Sequence, residues 1–112
     1  MLISALHAER EQAELRALIV PPEEEPDSVT RGLRAQEMRL RANLLEASDS
    51  SVARQQELHL AEVLYRLATR THDSRDVRRA LVLWRPAYDR IAAALGDSTA
   101  RARMTELERF VR

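Results

Sequence analysis

The sequence predicts an all-α protein, a compact bundle of about five helices joined as antiparallel hairpins, with one helix kinked at Pro86. Three observations carry that expectation. Ala, Leu, Arg and Glu dominate while aromatic residues make up only 4%, a composition that favours helix nearly everywhere. Apolar residues recur at spacings of three and four along most of the chain, the period of one helix face. The breaks SDSS and THDS are short and rich in capping residues, and such brief connections place the flanking helices side by side in opposite directions.

At 112 residues the chain has the size of a single domain that buries roughly two-thirds of its unfolded surface. Residues 1–20 form the first helical pattern, with Leu2, Leu6, Ala13, Ala17 and Val20 near one face and Leu15, Leu18 and Ile19 on a neighbouring one. That pattern stops at Pro21. Residues 21–27, PPEEEPD, hold three prolines and four carboxylates and read as an extended, solvated connector. It frees the first segment to dock away from its sequence neighbour, on another subunit among other places, and makes Leu2, Leu6, Leu15, Leu18 and Ile19 candidates for self-association.

Residues 28–112 read as the bundle core. Asp27 or Ser28 can cap a second helix on which Val29, Leu33, Leu40, Leu44 and Ala47 recur, with Arg31, Arg34, Arg39 and Arg41 assigned to its outer face. The third helix, about 52–71, is apolar nearly all round from Leu58 to Ala68, interrupted only by the row His59, Glu62 and Arg66. It therefore belongs at the centre. A fourth helix starts at Asp73 or Ser74 and carries Val77, Leu81, Trp84, Tyr88, Ile91 and Leu95 in one stripe. Gly96 is the expected left-handed end, and Ser98 the expected cap of a last helix bearing Ala100, Met104, Leu107 and Val111. The pattern runs to the last residue, as in a domain cut from a longer protein.

Pro86 interrupts the best of these patterns. It has no N–H for the carbonyl of Val82, and an unkinked helix interior tolerates it at a cost of about 3 kcal/mol. The stripe keeps its phase across it, from Trp84 to Ala87, Tyr88 and Ile91, which favours one kinked helix. The alternative is a helix ending near Trp84 and a second with Pro86 in its first turn.

Over residues 59–92, Leu64, Leu67 and Ala68 on one helix and Ala80, Trp84 and Ala87 on the next resemble a single tetratricopeptide-repeat helix pair. The resemblance implies a hairpin in which small residues allow close crossing and the aromatic fills the gap. With the apolar stripe of the fourth helix, the expected core is Leu64, Leu67, Ala80, Trp84, Ala87, Tyr88 and Ile91. Thr71, Pro86 and Ala92 depart from that family's pattern.

Several chemistries are excluded or unsupported. Without cysteine there are no disulfides, thiolate metal sites or cysteine nucleophiles. All 18 basic residues are arginine, which removes Schiff-base lysines and the lysine of a phosphate loop. Two glycines, Gly32 and Gly96, cannot build a glycine-rich cradle. None of His7, His59 and His72 has the spacing of a helical metal motif. Six of the seven serines, Ser28, Ser48, Ser50, Ser51, Ser74 and Ser98, sit at expected helix ends as caps. No catalytic residue, metal or cofactor is therefore expected, nor a signal peptide or membrane span, and a cytoplasmic location is the default.

Balanced charge, 18 acidic against 18 basic residues, argues against a protein devoted to neutralising nucleic-acid phosphates. The expected function is a non-enzymatic protein–protein interaction or assembly module, binding a protein partner or itself. A second reading is a nucleic-acid-associated regulator using arginine-rich faces. Candidate partner-binding residues are Arg31, Arg34, Arg41, Arg75, Arg78 and Arg79. The last three cluster in the first turns of a helix, where the dipole disfavours positive charge, so either an anionic partner or Asp73, Asp76 and Glu62 within the domain must answer them.

Overall fold

The computed structural model describes residues 25–111, and the described residues form four helices and no strand. They are α1 (Ser28–Glu46), α2 (Ser50–Thr71), α3 (Ser74–Leu95) and α4 (Asp97–Arg109). The helix expected over residues 1–20, with Leu2, Leu6, Leu15, Leu18 and Ile19, lies outside the described residues.

Three aspartates start three of the helices. Asp27, Asp49 and Asp73 each hold extended backbone and accept a bond from the backbone N–H two residues on, at Val29, Ser51 and Arg75, answering a donor with no partner inside the helix. Serine side chains do not cap here as expected. The hydroxyl of Ser51 instead donates to Asp49. α2 ends on His72 in the left-handed conformation at φ 55°, where the His72 ring meets Phe110 edge-on at 4.7 Å. Gly96, at φ 95°, closes α3 and also precedes α4, which has no side-chain cap. Ser98 is thus already inside the last helix.

Each helix packs on the next in sequence, and α2 also meets α4. The main core joins Leu60, Ala61, Leu64 and Ala68 of α2 to Val77, Ala80, Leu81, Trp84, Ala87 and Ile91 of α3, closed by Ala100 and Leu107 of α4. A smaller cluster of Leu33, Val63 and Leu67 fastens α1. Tyr88, expected in the core, packs against it half-buried. The fully buried Trp84 donates from its indole N–H to the carbonyl of Ala61 at 3.0 Å, so the largest core side chain carries no unanswered polar atom. α3 passes through Pro86 as one element, with the proline on the exposed side. No helix among the described residues is long and apolar enough to cross a membrane.

Candidate functional site

The most unusual feature of the interior is a set of four charged side chains where α1 and α3 face each other. Arg34 and Glu37 come from α1, Asp76 and Arg79 from α3, and none is more than 3% exposed. Arg34 grips Asp76 with both arms, Nη1 to Oδ1 at 2.9 Å and Nη2 to Oδ2 at 3.1 Å. Arg79 grips Glu37 in the same two-armed way through Nε and Nη2. A third contact, Arg79 Nη1 to Asp76 Oδ1 at 2.6 Å, joins the two pairs. The four charges sum to zero. Planar guanidinium forks match carboxylates edge to edge, so a chain whose basic residues are all arginine can seal such a cluster away from water.

The positions follow from helix geometry. Thr30, Leu33, Arg34, Glu37 and Arg41 fall three and four residues apart on the side of α1 that meets α2 and α3, and Asp76 and Arg79 are one turn apart on α3. Around the four, Glu25 accepts from Arg34 at 3.2 Å, Arg41 donates to Glu37 at 2.9 Å and Thr71 donates to Asp76. Burial pushes the Asp76 carboxyl up, but hydrogen bonds from Arg34 and Thr71 and the nearby Arg79 charge outweigh it and hold it below the usual aspartate value. Arg34 is pulled down by the same desolvation and carried above its ordinary value by its bonds to Asp76 and Glu25.

At the adjoining end of the bundle lies an open cleft of about 530 Å³ lined by Glu25, Asp27, Thr30, Arg34, Arg70, Thr71, Asp73 and Arg75. Its charges are matched: Arg70 Nη2 sits 2.7 Å from Asp27 and Arg75 Nη2 3.0 Å from Asp73. Hydrogen bonds from Thr30 and Arg70 lower the Asp27 carboxyl to about 2. Farther off, Tyr65 donates to Glu106 at 2.5 Å, a bond that raises its phenol. Arg103 stacks 4.7 Å above the Tyr65 ring and also pairs with Glu62. Among the described residues no three His, Asp or Glu converge as a metal site.

The six candidate arginines therefore part company. Arg34 and Arg79 are buried ions, which corrects the placing of Arg34 on the outer face of its helix and leaves Arg79 answered within the domain. Arg41 is half-buried against Glu37 and Arg75 is bound to Asp73, while Arg31 and Arg78 are exposed. Of the carboxylates expected to answer the Arg75–Arg79 cluster, Asp73 and Asp76 do so, whereas Glu62 pairs with Arg66 and Arg103. Glu37 went unread in the sequence. Its signal was its position between Leu33 and Leu40 on the stripe of α1 that packs inward.

The outer side of α1 is different in kind. Ala35, Met38, Ala42 and Leu45 lie at spacings of three, four and three, all exposed, with Met38 at 53% and Leu45 at 87%. A small–large–small–large row at this spacing is the seam that one helix offers another. Fold and site together define, over the described residues, a small helical bundle with a charge-locked interior and an apolar seam on its edge helix that no other described residue covers. No family model, curated protein or solved structure matches the chain.

Proposed function

We propose that the protein is a non-enzymatic helical assembly module whose α1 outer seam receives an amphipathic helix, from itself or from a protein partner. The seam carries the reading: an apolar row on a helix whose opposite side is fixed by both an apolar cluster and buried ion pairs is a rigid docking face. Its full form is a bundle of about five helices, with α3 bent at Pro86. The packing of Trp84 among Ala61, Leu64, Ala80 and Ala87 supports a tetratricopeptide-like hairpin over residues 59–92 as the scaffold. A cytoplasmic setting suits a cysteine-free chain. Four of the six candidate arginines are engaged within the chain, which weakens the alternative of a nucleic-acid-associated regulator.

The test is the paired substitution Met38→Glu with Leu45→Glu in the full chain, read by light-scattering mass, thermal melting and partner capture. Because both side chains are exposed, helix α1 itself persists. The expected result is a changed mass, a lost partner or a lowered melting temperature. A variant identical to the parent in all three sinks the reading.

A further inference from the structure

The α1 seam is complementary to itself. We propose that two copies of this chain pair through it, α1 against α1 in antiparallel fashion about a two-fold axis level with Leu40. The inference rests on the reading of α1 as a docking face and names a second copy as the occupant.

Side-chain size selects this register. With the axis level with Leu40, Met38 of each copy faces the partner's Ala42 and Leu45 faces the partner's Ala35, because each pair lies equally far to either side of the axis. Every large side chain then fills the space over a small one, the fit of knobs into holes. A parallel pairing does the reverse: it sets Met38 on Met38 and Ala42 on Ala42, so that layers are crowded and empty by turns.

Charge selects the same direction. The seam begins at Arg31, four residues before Ala35 in the first turn of α1, and at its other end stand Glu46, the last residue of the helix, and Asp49 in the connection to α2. All three are exposed, and Arg31 and Glu46 form no ion pair with another described residue. Each of those two opposes the dipole of its own helix, a cation at the N-terminal end and an anion at the C-terminal end. α1 does not correct this, having no acid in its first turn and no base in its last. Antiparallel pairing brings Arg31 of each copy to the end of the partner that holds Glu46 and Asp49, opposite charges at both rims. Parallel pairing sets Arg31 on Arg31. Arg39, exposed on the flank, comes near its own symmetry mate; the partner's Glu46, five residues from the level it faces and so about 7.5 Å along the axis, is the carboxylate that answers it.

A chain without cysteine makes the test direct. One helix pair falls at the low end of interface sizes, below about 1,200 Å², so the light-scattering mass of the parent should climb from one chain toward two as concentration rises. Three full-length single variants are prepared: Met38→Cys, Ala42→Cys and, on the exposed side of α3, the control Val82→Cys. Mixed in pairs and mildly oxidised, they are read by intact mass, which separates mixed from like disulfides. The expected main product joins position 38 of one chain to position 42 of another, above the share that random pairing gives, because the bond forms only between Cβ atoms about 4 Å apart. A majority of like disulfides at 38 or at 42 means a parallel pairing and overturns the proposal. So does a yield no better than with the control, or a parent that stays one chain at every concentration. In those cases the Met38→Glu, Leu45→Glu variant shows what else falls. A lowered melting temperature or a lost partner leaves the docking reading standing with another occupant, and an unaltered variant removes both.

Discussion

Replacing Asp76 by leucine tests the sealed charge cluster most severely. Asp76 is 0% exposed and serves Arg34 through two hydrogen bonds and Arg79 through one. Its removal leaves an excess of one positive charge at a site closed to water. Breaking a buried pair by removing one partner costs about 3–5 kcal/mol, and at about 4 °C per kcal/mol for a domain near this size the melting temperature should fall by about 12–20 °C. Adding Arg34→Met restores neutrality: the Arg79–Glu37 pair remains whole, Glu25 turns to solvent, and the leucine and methionine can pack where ions lay. That double variant should recover at least about 2 kcal/mol of the loss, since apolar replacement of a whole buried pair is often close to neutral. Urea unfolding followed by circular dichroism on the parent, both single variants and the double closes the cycle. A loss under about 1 kcal/mol for Asp76→Leu refutes the claim that the cluster is sealed. A double variant costing as much as the two singles combined refutes the claim that charge imbalance, not packing, sets the penalty.

Three further outcomes are expected. Trp84→Ala should cost about 3–5 kcal/mol in urea unfolding, as a large buried aromatic leaves a cavity between α2 and α3; near-native stability would show that the side chain is dispensable to the core. Pro86→Ala should raise stability by about 1–3 kcal/mol, because the exposed proline denies the Val82 carbonyl its helical donor; a loss on calorimetry would mean that the fold relies on the ring. Stability should fall on acidification below about pH 5. Asp27, Asp49, Asp73 and Asp76 are all held below the ordinary aspartate value, so their contribution is complete above the unfolded value of about 3.9 and is lost as pH drops through the folded ones, about 2 for Asp27. Melting temperatures that rise between pH 5 and pH 2 would contradict the sign.

Much of the fold was legible because helices advertise themselves locally. The stripe from Val77 to Leu95 needs only neighbouring residues to be read, Asp27 and Asp73 were already alternatives to Ser28 and Ser74 as caps, and Trp84 on that stripe pointed to the core. Pro86 also read correctly as lying within one helix, since the phase of the apolar residues continues across it. The charge cluster was illegible for the complementary reason. A wheel of α1 shows Arg34 and Glu37 next to Leu33, and hydropathy assigns both to water. What keeps them inside is a partner 42 residues away, and no local spacing reports that Asp76 and Arg79 will arrive there with the right register. The outer seam gave no such signal: Met38 and Leu45 stand off the apolar stripe read for α1, and Val29, which was read on it, is 53% exposed.

Gly96 has a consequence for the order in which the molecule comes apart. It is at once the last joint of α3 and the first of α4, and no side chain caps the start of the helix that follows. That helix has only Ala100 and Leu107 fully buried, against six buried residues in α2. Its amides should therefore exchange with solvent through a partial opening, before those of α2 and α3, which wait for the whole core to separate. While α4 is lifted, the flank of the α2–α3 core is bare, and Arg101, Arg103 and Arg109 stand on a loosened chain. An arginine-directed protease working under native conditions would make its first cuts there, and the fragment left behind would keep its charge cluster whole.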